Sequence, residues 1–519
     1  MPRSLLSVCT GIVILCAPDP AVAADLEPSN PKVARARSVL DQLVDSSGPV
    51  GPRHVRPRLL VRAMGSRGPQ RIAWTEPKAD AIVIDEKLYD LLRDSRDIAL
   101  EDGLALILGH ELAHVRLHEG WNAAYGLNSS DASTSGLEPA EVELEADELG
   151  TFLAFVAGFD TLGLGPRVVD AIYAGYGLDD TLGDYPPRSK RRAIAADADA
   201  DAVEAAALYT AGFLSAAGGA PGAALALFEH LARRYPSSAV LDAAAVSALL
   251  RVMELDHDDR RLPIGFSVPH GLGEGVVPKV GVAPPRIRQT HLIRRARLHL
   301  AAVLAQGPAA PQWHVHIGAL ELLDERPKAA LDAAARVDKL NRGRGRSARL
   351  EAEAWLLRGW ALKSLGRSAE SRRSFRRARA LGSAIPQLTA RAPASAGTDS
   401  RPLPPVLAAQ TRTVPADDGP LELTWGHADP LPTQLELRHR RRIWRWAATE
   451  AGDGARTPAG LQKGDSTARL LKLHGAPHAE TPAGRGRVLR FGEREGILVW
   501  LRADRVEGWW RFEQRPEEP

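Results

Sequence analysis

The stretch Ile107-Leu-Gly-His-Glu-Leu-Ala-His-Val-Arg-Leu-His-Glu-Gly120 places His110, Glu111, His114 and His118 within a few helical turns. At roughly 100° per residue, positions four apart share a helix face, so His110 and His114 can grip one metal ion from a single helix. Glu111 lies beside them, where its carboxylate can reach a water activated by that ion. This is the H-E-x-x-H spacing, in which two imidazoles bind zinc and the glutamate acts as general base. Chance would place about 0.03 such matches in a chain with 15 histidines.

A catalytic zinc usually has three protein ligands and one open position. The later stretch Pro139-Ala-Glu-Val-Glu-Leu-Glu-Ala-Asp-Glu-Leu-Gly150 offers the missing ligand. Glu143 and Asp147 stand four apart on a second expected helix. Glu143 can ligate, and Asp147 can accept a hydrogen bond from a ligand histidine and fix its tautomer. Glu141, Glu145 and Glu148 compete for the ligand role, as does His118. A Glu-rich helix is usually a solvated face, but Val142, Leu144, Ala146 and Leu149 give this one an apolar side to bury. The chemistry that follows is hydrolysis. Zinc lowers the pKa of a bound water towards about 7, and Glu111 takes the proton.

Several elements must position these residues. Helical patterns run over Val33 to Leu43, Glu101 to Glu119 and Pro139 to about Val156. Arg58-Leu-Leu-Val-Arg and Ala81-Ile-Val-Ile-Asp read as short strands, the second a candidate edge for an extended substrate. Gly126 to Gly136 reads as a loop between the two site helices.

The chain has 519 residues, too many for one core. Residues 1–24 read as an export signal: Arg3, the apolar run Leu5 to Ala17, then Ala21-Val-Ala23. Both cysteines, Cys9 and Cys16, lie inside it, which excludes thiol chemistry from the exported part. Leu15 is too bulky for a usual lipid-attachment site at Cys16. The expected location is the periplasm. The net charge of +3 gives no argument for a nucleic-acid partner.

After residue 198 the chain turns Ala-rich and repetitive. Trp355, Gly359, Gly366, Phe375 and Ala378 fall on the tetratricopeptide (TPR) pattern. Gly212, Gly219, Ala224, Phe228 and Pro236 do so upstream, and Trp313, Gly318 and Ala330 more loosely between them. Asp256 to Arg288 reads as a long loop. Residues 389–432 are Pro- and Ala-rich and read as a linker. In 433–519, Lys463 to Pro477 reads as a capped helix, followed by three strands. This helix-then-meander resembles the SmpA-like domain of outer-membrane lipoproteins. The basic run Leu437 to Ala447, with Trp444 and Trp446, reads as a basic strand or helix flanking that domain, with anionic lipid as its functional alternative.

His110-Glu-Leu-Ala-His114 followed by Glu143-Leu-Glu-Ala-Asp147-Glu-Leu-Gly150 resembles the gluzincin family. That family includes the CAAX prenyl endopeptidase, the heat-shock membrane peptidase HtpX and the periplasmic β-barrel assembly-enhancing protease. With the export signal and the repeats, the last branch is the one most resembled. The resemblance covers roughly residues 53–195. It implies a zinc-dependent metalloendopeptidase with one Zn2+ per chain, ligated by His110, His114 and Glu143. A later family element, His-Pro followed by Arg, has its counterpart in Asp184-Tyr-Pro-Pro-Arg-Ser-Lys-Arg191. Arg191 matches, while Tyr185 replaces the histidine. A tyrosine hydroxyl can still donate a hydrogen bond to an oxyanion; Arg191 can do the same or pair with Asp147.

The expected architecture is therefore mainly α. A zincin-like α+β metallopeptidase domain (25–198) precedes a TPR-like solenoid (199–388), a linker (389–432) and a small α+β domain (433–519). The expected role is envelope quality control. The repeats would recruit unfolded or misassembled envelope proteins, or the outer-membrane assembly machinery, with no nucleic acid and with peripheral membrane contact allowed. The alternative is a silent or gated zinc-binding scaffold or chaperone.

Overall fold

The computed structural model describes residues 24–47, 56–63, 72–76, 80–125, 139–178, 187–235, 238–254, 262, 286–305, 311–343, 347–381, 410–416, 419–426, 434–439, 442–448, 457, 459–475, 477, 479–483, 486–492, 495–502 and 505–516. Residues 1–23 of the expected export signal, residues 126–136 read as a loop, nearly all of 256–285 and Tyr185 lie outside these residues. The described part is mainly helical. It divides into two compact units, Met1–Ala206 and Ala207–Pro519.

The first unit begins with β1 (Ala24–Asp25), α1 (Pro31–Ser47), β2 (Arg58–Ala63), β3 (Ala73–Glu76) and β4 (Ala81–Asp85). Then come α2 (Glu86–Asp94), α3 (Leu100–Tyr125), α4 (Pro139–Val156), α5 (Gly165–Tyr176) and the start of α6 (Arg188–Ala217). The sheet order is β1-β2-β4-β3, with β2 and β4 parallel and the other pairs antiparallel. Every residue of β4 is buried, as its β-branched run dictates for a strand paired on both sides. This corrects the expectation that Ala81 to Asp85 forms a free edge; β3 holds that place and packs near α3.

Asp85 ends β4 and caps α2, its side chain accepting from the Lys87 amide while the Tyr176 hydroxyl donates to it at 2.8 Å. Leu104, Ala105, Leu108, Leu112 and Ala113 bury α3 on several sides, which is why this helix lacks a single apolar stripe. Its neighbours include α1, α2, α4 and the sheet.

The second unit takes the end of α6, then α7 (Pro221–Arg234), α8 (Ala239–Glu254), α9 (Arg286–Ala305), α10 (Pro311–Leu323), α11 (Pro327–Gly343), α12 (Ala348–Ser364) and α13 (Ser368–Ala380). The turns α6–α7, α10–α11 and α12–α13 are built alike. In each, an amide reaches back five residues: Ala220 to Ser215, Arg326 to Glu321 and Arg367 to Leu362. Each has a left-handed residue just before that amide, Gly219 (φ 82°), Glu325 (φ 56°) and Gly366 (φ 73°). The middle turn uses Glu where its companions use Gly, which is why the middle unit was hard to read. Phe228 lies against Gly212 and Phe375 against Gly359, where a Cβ would come within 2.8 and 2.4 Å of the rings. The first and last of these helical hairpins are thus sealed by Gly–Phe contacts, while in the middle one Gly318 faces Leu357.

The remainder is β5 (Gln410–Val414), β6 (Leu421–Trp425), β7 (Gln434–His439), β8 (Arg442–Ala448), α14 (Thr467–His474), β9 (Ala479–Ala483), β10 (Gly486–Phe491), β11 (Glu495–Arg502) and β12 (Arg505–Pro516). These strands form one eight-stranded antiparallel sheet, ordered β5-β6-β7-β8-β12-β11-β10-β9. The expected linker therefore ends before Gln410, and the last domain is larger than 433–519. β6 buries Leu421, Leu423 and Trp425 and exposes Glu422, an alternation hidden among the surrounding prolines. The basic run Leu437 to Ala447 falls on the β7 and β8 strands. Arg438 and Arg445 both donate to Glu436, and Trp444 and Trp446 are buried. Leu470 of α14 packs on Leu489, Phe491, Val499 and Trp509, and Ser466 caps that helix. Arg490, 2% exposed, donates to the Gly218 carbonyl at 2.8 Å and so joins this sheet to the first hairpin.

Candidate metal centre

The centre is built where α3 crosses α4. Two glycines permit the crossing. A Cβ on Gly150 would lie 2.5 Å from the His110 amide nitrogen, and one on Gly109 would lie 2.7 Å from the Gly150 carbonyl oxygen. The backbones therefore touch one residue from the first histidine. The glycines stood in the quoted motifs, but nothing in their spacing marked them as the contact.

Across this crossing His110, His114 and Glu143 each offer a ligand atom, all within 4.8 Å of one another. The histidine Nε2 atoms are 3.0 Å apart, and each lies 3.5 Å from a Glu143 carboxylate oxygen. Donors about 2.0–2.1 Å from a tetrahedral zinc stand about 3.3 Å from one another. The observed separations bracket that value, so the donor set suits such an ion. The histidine rings meet edge to face, at 89°.

Asp147, one turn after Glu143, bonds His110 Nδ1 at 2.7 Å. That contact assigns the proton to Nδ1 and leaves Nε2 for a ligand role. Arg191 of α6 grips Asp147 with both terminal nitrogens, and its Nη2 stands 3.9 Å from Glu143. Of its two expected roles, Arg191 thus takes the pairing with Asp147. Glu141, a rival for the ligand place, lies outside the three-residue cluster and is exposed, as is Glu145. The His118 side chain and Tyr185 fall outside the described residues.

The electrostatics follow from burial and pairing. Burial opposes charge on His110, but Asp147 and Glu143 outweigh it and hold the imidazole up to about 9. Burial alone would raise Glu143; the two histidines and Arg191 instead bring it down to about 2. Asp147, also opposed by burial, is held well below the usual carboxylate range by His110 and Arg191. Glu111 is 7% exposed, and burial pushes its carboxyl above the ordinary range, against the pull of His110 and His114. A carboxyl raised by burial is shifted in the direction that suits a proton-transferring group.

Among the described residues no helix is long and apolar enough to cross a membrane. The chain matches no protein-family model and no curated protein. The reading of this centre therefore rests on its own geometry.

Proposed function

We propose that the first unit is a zinc-dependent endopeptidase. The observation that carries this reading is the convergence of His110, His114 and Glu143 on one point, with Asp147 on the far nitrogen of His110. Zinc bound there supplies Lewis acidity for activating water and a peptide carbonyl. His110, His114 and Glu143 hold it. Asp147 keeps the His110 proton on Nδ1, and Arg191 keeps Asp147 in place. Glu111 accepts a proton from the attacking water on its carboxylate and returns it to the leaving amine nitrogen. An extended substrate would pair with β3, the sheet edge near α3. The helical hairpins would recruit clients, read as unfolded or misassembled envelope proteins in the periplasm.

The test is zinc content together with casein cleavage, for the wild-type chain and Glu111→Gln. One zinc in each, with cleavage only in the wild type, supports the peptidase. Zinc with no cleavage in either would favour the silent scaffold. Cleavage by zinc-loaded Glu111→Gln would remove Glu111 from its role.

A further inference from the structure

Several arginines of the helical hairpins are neutralised. Arg295 pairs with Glu229, Arg297 with Glu321 and Asp324, Arg349 with Glu353, and Arg358 with Asp338. Helix α13 departs from this. It carries Arg372, Arg373, Arg376, Arg377 and Arg379 against one carboxylate, Glu370. All five arginines are exposed. Arg377 reaches Glu351 at 3.4 Å, and Glu370 is taken by Arg367. Among the described residues, Arg372, Arg373, Arg376 and Arg379 have no ion pair.

Their spacing makes a surface. At about 100° per residue, Arg372, Arg376 and Arg379 lie within about 60° of one another, and Arg373 and Arg377 extend the sector to about 160°. Along the axis they span about 10 Å. Ser371, Ser374 and Ala378 occupy the opposite, buried side. Phe375 is turned against Trp360, with ring centroids 5.1 Å apart. No large apolar or aromatic side chain is exposed on α13. The face has no apolar side chain to insert into hydrocarbon; it offers guanidinium charge, in a form suited to a plane of phosphates.

We propose that α13 docks the chain electrostatically onto an anionic phospholipid surface. The export signal read in residues 1–24 places such headgroups, rather than nucleic acid, within reach of the exported chain. The contact is peripheral, without insertion, and therefore steeply salt-dependent. It is independent of the metal centre.

The test uses residues 25–519 and co-sedimentation with vesicles of phosphatidylcholine alone or with one third phosphatidylglycerol. Binding is expected only to the anionic vesicles, at about 0.1 M salt and not at about 0.5 M. The quadruple variant R372Q/R373Q/R376Q/R379Q should partition at least about tenfold less, and the matching quadruple Lys variant should keep the binding. Unchanged partition of the Gln variant would overturn the proposal, as would equal binding to neutral vesicles. Loss of binding in the Lys variant would overturn the charge argument. Tighter, Arg-dependent binding to duplex DNA than to the vesicles would replace lipid by nucleic acid.

Discussion

The glycine crossing makes the metal centre sensitive to a single methyl group. In Gly150→Ala the new Cβ would stand 2.5 Å from the His110 nitrogen and 2.7 Å from its Cα, where ordinary contact begins at 3.4 Å. Because both neighbours are backbone, no rotamer change relieves them, and the helices must part by about 0.9 Å. Metal–ligand distances tolerate about 0.2 Å. The same parting separates His110 from Asp147, and losing such a partner alone costs about 10–100-fold in metal affinity. Gly150→Ala should therefore bind zinc at least about tenfold more weakly, with about 1–3 kcal/mol lost from fold stability. Gly222→Ala on α7, whose Cβ meets nothing within 4 Å, serves as the matched control and should leave zinc affinity unchanged and stability unchanged or slightly raised. Zinc affinity is measured by competition with a chromophoric chelator, and folding by circular dichroism. A folded Gly150→Ala that binds zinc as tightly as the wild type would refute the idea that this crossing sets the ligand geometry.

Zinc affinity should rise with pH. His110 holds a proton up to about 9 in the metal-free chain, and zinc must displace it, so affinity should improve by up to about tenfold per pH unit between about pH 6.5 and 8.5. Glu143, down at about 2, releases no proton in that range; a pH-independent affinity would contradict the assigned ligands. Asp199 of α6 is 6% exposed and accepts from the Gly165 amide at 3.0 Å, and burial raises its carboxyl to about 7. A folded-state pKa above the unfolded value means that the folded chain binds the extra proton, so stability is lost as pH rises from about 4 to about 7. Asp199→Asn should thus match the wild type near pH 4 and exceed it by up to about 4 kcal/mol at pH 8 in urea unfolding.

The sequence was most legible where a period and a chemical requirement coincide. His110, Glu111, His114, Glu143 and Asp147 declared themselves because a helix face and a donor set impose fixed spacings. The helix over 139–156 was bounded by Pro139 and by its apolar pattern. The glycines of the crossing were visible as letters, but their meaning depends on which helices meet, and no local spacing encodes that. The middle hairpin is faint in the sequence because Glu325 takes the left-handed turn position that glycine fills in its companions. β5 and β6 read as linker because prolines outside the strands dominate the composition; the alternation of Leu421, Leu423 and Trp425 is the surviving signal. In the basic β7–β8 stretch, charge composition concealed that Glu436 and Glu513 had already been matched to its arginines.

What separates a working centre from a structural zinc is Glu111. It is not one of the converging ligand residues, yet it is buried beside them and its carboxyl is raised by that burial. By the same linkage as for Asp199, a carboxyl raised in the folded state withdraws stability once pH exceeds its unfolded value. A site selected only to hold the fold together gains nothing from such a group, whereas a proton-transfer site requires it. Glu111→Gln keeps the shape and removes the charge. In chelator at pH 8 it should unfold at higher urea than the wild type, while losing cleavage when loaded with zinc. A metal-free Glu111→Gln less stable than the wild type would mean that the carboxylate is a structural partner of His110, and the argument from cost to catalysis would fail.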